Sequence, residues 1–192
     1  MANPLPPDLP APDDDGATDH LSGARTSAVV LESTDGATVR VDQLGPGRTV
    51  LYVYPLTGRA DVDLPDNWDA IPGARGCTNE ACDFRDHHAE LLAAGATAVF
   101  GLSTQTSDYQ TELVERLRLP FAVLSDPGLL LADELGLPTF TAGGMTVYRR
   151  QTLVLRDGVV EHVFYPVFPP DRHAEQVLAW LAEQPIRGAG SI

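Results

Sequence analysis

The amino-acid sequence predicts an α/β fold, with a central mixed sheet flanked by helices. Three observations lead to this class: apolar runs typical of buried strands alternate with segments of helical periodicity, a pair of strand-like runs follows, and an amphipathic helix ends the pattern. The chain has 192 residues, of which 43 % are apolar. That is enough for one domain with a single sizeable core.

The charge of the chain limits the partners that it can bind. Acidic residues number 27 and basic residues 13, so the net charge is −14. Nucleic acids and anionic membranes repel such a protein, and we expect neither as a partner. No apolar run approaches the roughly 18 residues that span a bilayer, and the first residues lack the pattern of a secretory signal. We therefore expect a cytoplasmic protein, in a compartment where structural disulfides are rare.

The first third of the chain predicts a tail, a hairpin and a central strand. Residues 1–26 are rich in proline and aspartate without an apolar period, which predicts a disordered tail before a domain over 27–185. Two β-favouring runs around Asp35 and Gly36 predict a hairpin. The continuous apolar run over 49–54 predicts a strand that is buried on both faces.

Helices and strands alternate after an irregular segment over 55–76. Their order predicts a thioredoxin-like fold with an N-terminal β-hairpin extension. The predicted elements are a helix from Cys77 to a C-cap at Gly95, a strand over 96–103, a helix opened by a capping box at Ser107 and Gln110, a strand over 121–126, a short helix from Asp126 and Pro127 to Gly136, two strands around Asp157 and Gly158, and a last helix capped by Asp171.

Cys77 is the first candidate functional residue, because it stands where a glycine-rich loop becomes a helix. A free thiol is only about 3 % ionised at pH 7, and the thiolate is the nucleophile. Helix N-terminal amides and a nearby guanidinium favour the ionised form, and Arg75 and Arg85 are the local cations. Glu80 and Asp83 oppose it.

Cys82 lies five residues after Cys77. In a regular α-helix the two Cα atoms are roughly 8.7 Å apart, whereas a disulfide tolerates at most about 6.8 Å. A Cys77–Cys82 bond therefore requires the first turns of the helix to unwind. Two other interpretations stay open: both cysteines are buried as small apolar side chains, or they bind zinc with His87 and His88. Residues 77, 82 and 87 progress around a helix instead of sharing a face, which disfavours the metal.

Several runs of this sequence resemble one family. The run GCTNEACDFRD over 76–86 is similar to the active-site helix of Q-type (bacterioferritin-comigratory-protein-like) peroxiredoxins of the AhpC/TSA superfamily. YVYP at 52–55, GLSTQ at 101–105 and LPFAVLSDP at 119–127 resemble other parts of that family, as does Arg150 before Gln-Thr-Leu. The likeness covers about residues 27–183 in the right order.

The resemblance implies a role for each matching residue. Cys77 corresponds to the peroxidatic cysteine, Cys82 to the resolving cysteine and Arg150 to the catalytic arginine, with Arg149 in its place if the register shifts by one. Glu80 resembles a glutamate that often follows the peroxidatic cysteine. The implied activity is a thiol-dependent peroxidase that reduces hydrogen peroxide or organic hydroperoxides without metal or organic cofactor. A thioredoxin-like or other dithiol protein would reduce the disulfide, and the enzyme would be a monomer or weak homodimer.

The sequence departs from the family immediately before Cys77. The family has a proline and a threonine seven and three residues before this cysteine, where the chain has Ala70 and Ala74. The proline instead corresponds to Pro55, followed by about fifteen extra residues. We expect Thr57, Thr78 or a backbone amide to help hold the peroxide, and the insertion 56–75 to form a lid or a surface loop. The departure also keeps open an alternative function, a redox-sensing or regulatory protein that oxidises without efficient turnover.

Overall fold

The computed structural model describes residues 4–185. A seven-stranded mixed sheet forms its centre, with the strand order β2-β1-β5-β4-β3-β8-β9, and a separate hairpin pairs β6 with β7. The strands are β1 Val30–Ser33, β2 Thr38–Arg40, β3 Arg48–Val53, β4 Ala96–Ser103, β5 Val123–Ser125, β6 Thr139–Ala142, β7 Met145–Tyr148, β8 Gln151–Arg156 and β9 Val159–Phe164.

Strand β3 lies in the middle of the sheet and is buried along its whole length, as the sequence predicts. It pairs with β4 in parallel and with β8 in antiparallel orientation. Because side chains alternate along a strand, Tyr52 and Tyr54 join the apolar cluster on one face and Leu51 and Val53 join the cluster on the other. The predicted N-terminal hairpin is also present, with β1 antiparallel to β2.

The helices cover both faces of the sheet. Helices α1, α2, α3 and α5 contribute to the cluster that contains both cysteines, and α4 contributes to the cluster on the opposite face. Within residues 4–185, none of the helices combines the length and apolar character needed to cross a bilayer. The helices are α1 Cys77–Asp86, α2 His88–Ala93, α3 Ser107–Leu117, α4 Leu130–Leu135 and α5 His173–Glu183, with 3₁₀ turns at Val41–Gln43, Trp68–Ala70 and Pro170–Arg172.

Two helix predictions were wrong in detail. The segment between Cys77 and Gly95 is two helices, because the backbone leaves the helical region at His87 (φ −97°, ψ 4°). The capping box at Ser107 and Gln110 does not form, and α3 has no side-chain cap. Gln110 is instead fully buried, and its side-chain amide makes hydrogen bonds inside the protein.

The last helix is also capped differently from the prediction. Asp171 lies in the 3₁₀ turn before α5 and makes no cap bond. Asp83 of α1 accepts the hydrogen bond from the Ala174 backbone N–H at 2.6 Å instead. The residue that satisfies this helix end is therefore 91 positions away in the chain.

The strand predicted before Asp157 is interrupted. Strand β7 ends at Tyr148 and belongs to the small hairpin with β6, and β8 begins at Gln151 in the main sheet. Arg149 and Arg150 form the link between the two sheets. The break frees these two side chains from the alternation of a continuous strand.

The N-terminal segment differs from the disordered tail that its composition predicts. Residues 4–26, which we call the arm, lie against the domain, while the first three predicted tail residues lie outside the described range. Leu21 is completely buried in the core cluster beside α4, and the Thr26 hydroxyl donates to the Gly158 carbonyl at 3.0 Å. Although the segment has few apolar residues, burial of the Leu21 side chain stabilises its ordered position on the domain. The domain bounds 27–185 stay a prediction.

Candidate active site around Cys77

Cys77 is the first residue of α1 and is 3 % exposed. Gly76 before it has φ 105°, a backbone conformation that strongly favours glycine. A Cβ at this position would collide with the Pro170 ring. The sharp entry into α1 therefore depends on Gly76, and it directs the Cys77 sulfur back toward the loop that precedes the helix. The thiol is 3.5 Å from the Ala74 carbonyl, to which it donates.

Arg150 is buried beside Cys77. Its Nη2 lies 3.1 Å from the Cys77 Sγ and also donates to the Ala74 carbonyl at 3.1 Å, and its Nε donates to the Gly73 carbonyl at 3.2 Å. Its Nη1 forms a buried ion pair with Glu80. The structure thus places Arg150 at the cysteine, whereas Arg149 is partly exposed and pairs with Asp15.

Burial dominates the electrostatics of this cluster. It raises the pKa of Cys77, the Arg150 guanidinium opposes the rise, and the Glu80 carboxylate adds to it. Burial also raises the pKa of Glu80 to about 7, although Arg150 acts in the other direction. The Cys77 direction differs from the one that a helix N-terminus favours, because the closed pocket removes water from the thiolate. The Arg150 guanidinium therefore interacts with both Glu80 and Cys77. When Glu80 is protonated and neutral, the positive charge of Arg150 acts on the Cys77 thiolate alone.

A cavity of about 260 Å³ reaches Cys77. Its wall combines hydroxyl, amide and guanidinium groups with apolar side chains. The insertion 56–75 supplies much of this wall and packs through Trp68 against Phe140 of the small hairpin, with ring centroids 5.8 Å apart. The insertion is thus a packed wall of the cavity. The lining residues are Pro4, Leu5, Leu56, Thr57, Gly58, Leu64, Trp68, Arg75, Gly76, Cys77, Thr78, Asn79 and Arg116.

The structure brings most of the predicted substrate-binding residues to this cavity. Thr57 and Thr78 both line it. The Thr57 hydroxyl donates to the Gln105 Oε1 at 3.0 Å, which leaves its oxygen lone pairs for a donor in the cavity. Pro55 is buried and is not among the residues of the cavity wall. Ala74 contributes only its carbonyl, which accepts from both Arg150 and Cys77.

Comparison with known proteins agrees with this geometry. The Redoxin family model matches residues 12–178. The chain is 32 % identical over 160 residues to the chloroplastic peroxiredoxin Q of Suaeda salsa, covering 83 % of this chain and 66 % of the relative. It is 34 % identical over 149 residues to the chloroplastic peroxiredoxin Q of Triticum aestivum, covering 77 % of this chain and 60 % of the relative. The chain belongs to the Q-type peroxiredoxins.

Solved structures support the same assignment. Peroxidoxin BcpB from Mycobacterium tuberculosis superposes with a TM-score of 0.67 and 28 % identity, over 86 % of this chain and 98 % of that one. A Xanthomonas campestris peroxiredoxin Q structure, at 21 % identity and a TM-score of 0.62 over 81 % of this chain and 90 % of that one, shows the shared fold. The predicted thioredoxin-like fold and the family resemblance are therefore confirmed. The matched segments span 66 % of the Suaeda salsa relative and 60 % of the Triticum aestivum relative, less than two thirds of either protein.

In this peroxiredoxin, Cys82 lies in the same helix as Cys77. Both cysteines are buried free thiols. Helix α1 is continuous from Cys77 to Asp86, so the Cα separation of roughly 8.7 Å expected for five helical residues applies. A bond between the two sulfurs therefore requires α1 to unwind locally.

The C-terminal half of α1 is held by polar contacts to other elements. Asp83 accepts from the Ala174 N–H through Oδ2, and its Oδ1 lies 3.1 Å from the His87 Nδ1. Arg85 donates to the Leu117 carbonyl at 3.0 Å. Ligand atoms of Asp83, His87 and Glu175 lie within 4.8 Å of one another, but both Asp83 oxygens already have partners in the protein. We interpret this cluster as a helix cap with an ion pair.

Sequence reasoning missed a buried amide network behind the cavity. Gln110 donates to the Ser125 Oγ at 2.7 Å and accepts from the Tyr54 hydroxyl at 2.7 Å. Gln105 accepts from the Thr57 N–H at 2.8 Å, so it fixes the start of the insertion. The only sequence signal for Gln105 was its place in the GLSTQ run. The local pattern assigns Gln110 to a capping box with Ser107, since a buried glutamine has no local signature.

Proposed function

We propose that the chain is a thiol-dependent peroxidase that reduces hydrogen peroxide and organic hydroperoxides. The observation that carries this proposal is the 3.1 Å contact between Arg150 Nη2 and the Sγ of Cys77, a residue that lines a cavity of about 260 Å³. The cavity gives a small substrate room beside the nucleophilic sulfur, and the Arg150 cation contacts that sulfur. The Q-type family assignment supports the same reaction.

In the first step, the Cys77 thiolate attacks one oxygen of the peroxide. A sulfur–oxygen bond forms and the oxygen–oxygen bond breaks, so Cys77 becomes a sulfenic acid and the leaving oxygen takes a proton to give water or an alcohol. Arg150 Nη2 stabilises the negative charge that moves onto the peroxide oxygens. Because the pKa of Glu80 is about 7, its carboxyl group is protonated in part of the molecules at neutral pH. In those molecules the charge of Arg150 is not shared with Glu80 and stabilises the Cys77 thiolate.

In the second step, Cys82 condenses with the sulfenic acid. A disulfide forms and water leaves, after the first turns of α1 have unwound. A thioredoxin-like or other dithiol protein then reduces the disulfide, and its own two thiols become a disulfide.

The setting of the reaction is also part of the proposal. Both cysteines belong to one helix, so no second subunit has to donate a thiol, and we propose a monomer or weak homodimer. We propose the cytoplasm as the location, because a reducing compartment supplies the dithiol proteins that the catalytic cycle needs to reduce the Cys77–Cys82 disulfide. Sedimentation at micromolar concentration should give the mass of one chain.

Peroxide consumption by the purified protein with dithiothreitol tests the activity. We expect removal of hydrogen peroxide and cumene hydroperoxide above the uncatalysed rate, and loss of that removal in Cys77→Ser. The matched variant Cys82→Ser should still be oxidised once, and its sulfenic acid should persist long enough to trap with dimedone. Removal of neither peroxide by the wild-type protein, or equal removal by Cys77→Ser, would contradict the proposal.

A further inference from the structure

The N-terminal arm reaches the cavity at Cys77. Pro4 and Leu5 are part of the cavity wall, on the side where α1 begins. The Leu5 Cδ2 lies 3.3 Å from the position that a Cβ on Gly76 would occupy. The arm thus touches the backbone residue directly before Cys77, and an apolar side chain from the start of the chain faces the nucleophile's pocket.

The arm also covers a second cavity, of about 340 Å³, which lies at the Arg150 end of the Cys77–Arg150 pair. Pro12, Asp13 and Asp15 form part of its wall, and Arg149 and Arg150 line it as well. The Pro12 ring packs on Gly73, whose carbonyl holds the Arg150 Nε. One continuous segment therefore lies over both sides of the Cys77–Arg150 pair.

A polar clasp fixes the arm at Asp15. Its carboxylate accepts from Arg149 Nη1 at 2.9 Å and from the Tyr165 hydroxyl at 2.9 Å. The hydrogen bond from Tyr165 lowers the pKa of Asp15, and Arg149 acts in the same direction, so the clasp is charged at neutral pH. Leu21, buried in the core, anchors the arm further along.

The segment before the clasp is attached differently. Within residues 4–185, residues 4–12 make no hydrogen bond to the domain, and their contacts are the apolar ones of Leu5, Leu9 and the prolines. A proline-rich segment is stiff and extended, so a fixed Asp15 directs it across the cavity without a network of polar bonds. Such a segment can leave the surface without exposing unsatisfied backbone groups that were paired in the domain.

We propose that residues 4–16 form a strap over the cavity, and that Leu5 selects among hydroperoxides by their size. This inference rests on the proposed peroxidase activity. With the strap in place, Leu5 narrows the approach to Cys77 and favours hydrogen peroxide over bulky organic hydroperoxides. Asp15 is a positioning residue, because it acts through the placement of Leu5.

Two substitutions at Leu5 test the strap in opposite directions. For each protein, the second-order rate constants of Cys77 oxidation are measured with cumene hydroperoxide and with hydrogen peroxide, and their ratio is compared. We expect the ratio to rise more than threefold in Leu5→Ala and to fall in Leu5→Trp. A general loss of stability would not raise this ratio in one variant and lower it in the other. A ratio within threefold of wild type in Leu5→Ala would overturn the proposal.

The clasp is tested by Asp15→Ala, with Asp8→Ala as its matched control. Asp8 is an exposed acid of the same arm, so both variants lose one negative charge. We expect the ratio to rise in Asp15→Ala in the same direction as in Leu5→Ala, and to keep its wild-type value in Asp8→Ala. Equal ratios in the two aspartate variants would show that Asp15 does not position the strap.

Alkylation of Cys77 separates the strap from the peroxidase activity. In a Cys82→Ser background without peroxide, rates with a pyrene maleimide and with iodoacetamide are compared. Leu5→Ala should raise the ratio of the large to the small reagent more than threefold. If no protein consumes peroxide but this ratio rises, the peroxidase proposal fails and the strap stands. If peroxide is consumed and neither ratio rises, the strap fails alone.

Discussion

The two halves of α1 are held in different ways. The half that begins at Cys77 meets a buried charge cluster, with Arg150 and Glu80 both almost completely excluded from solvent. The half that contains Cys82 is held by a helix cap from Asp83 to Ala174 and by packing on α5. The first half sets the chemistry of one sulfur, and the second sets how readily the helix unwinds to bring the other sulfur to it. Substitutions should therefore separate rate from stability.

The largest effect should come from Arg150→Met, which removes the cation of the first half. We expect the rate constant of Cys77 oxidation by hydrogen peroxide to fall by about 100-fold or more, because a preorganised donor to the developing charge is lost. Stopped-flow fluorescence measures this step. Arg156→Met, which removes a partly exposed arginine at the end of β8, should stay near wild type.

Loss of Arg150 also leaves Glu80 without its partner. The double variant Arg150→Met/Glu80→Gln should recover stability, since no buried acid then remains unpaired, but not activity. Recovery of activity together with stability would show that Arg150 acts only on folding.

The second effect concerns His173, the first residue of α5, which packs edge-on against Phe84 of α1 with ring centroids 5.6 Å apart. Burial lowers the pKa of His173 to about 4. The unfolded chain takes up a proton near pH 6.5 and the folded chain does not. The free energy of unfolding should therefore fall by about 3 kcal/mol as the pH drops from 6.5 to 4.

Urea unfolding across this pH range measures the effect as a difference between wild type and His173→Gln. The difference is needed because Glu80, whose folded pKa is raised, stabilises the fold on acidification from pH 7 to 4.5. His20→Gln, a change at an exposed histidine, serves as the control. Identical pH dependence in wild type and His173→Gln would contradict the assignment.

A smaller effect should follow from Asp83→Ala in the second half of α1. Loss of the bond to the Ala174 N–H should lower the free energy of unfolding by about 1–2 kcal/mol, the usual cost of a helix cap. Because α1 then unwinds more readily, the disulfide should form faster after Cys77 oxidation. Asp86→Ala, at an exposed acid of the same helix, should change stability by less than about 0.5 kcal/mol. Slower disulfide formation in Asp83→Ala would contradict this interpretation.

The smallest effect should be a shift of the Cys77 pKa in Glu80→Gln, a variant that keeps both the Cys77 thiol and the Arg150 guanidinium. The Glu80 carboxylate raises the pKa of Cys77, so its neutral replacement should lower that pKa. The pH dependence of iodoacetamide alkylation in a Cys82→Ser background measures it. Glu90→Gln, at an exposed acid of α2, should leave the profile unchanged. An unchanged or raised pKa in Glu80→Gln would mean that its carboxylate does not act on the sulfur.

The sequence could predict what depends on short spacings. The apolar run at β3, the turn at Asp35 and Gly36 and the loop-to-helix change at Cys77 all appear in the structure. One error occurred at a residue that had two possible partners. Gln110 fits a capping box locally, but in the structure it is buried and accepts a hydrogen bond from the Tyr54 hydroxyl. This arrangement is favoured because a buried hydroxyl without a partner costs more free energy than an uncapped helix end.

The choice between Arg149 and Arg150 shows the same limit within the site. Alternation along a strand requires that only one points inward, and it does not say which. The break after Tyr148 decides, since it takes both residues out of a regular strand and turns Arg150 toward Cys77. No local pattern marks that break.

By itself, the sequence determined the fold class, the place of Cys77 at a helix start and the five-residue interval to Cys82, because these follow from periodicity and helix geometry. The tertiary structure alone decided the direction of the Cys77 pKa, the cap from Asp83 and the course of the arm. The physical reason is that these three features depend on burial and on contacts between residues that are far apart in the sequence. Arg150 is 73 positions from Cys77, and only the tertiary fold of the link between β7 and β8 brings its charge to the sulfur.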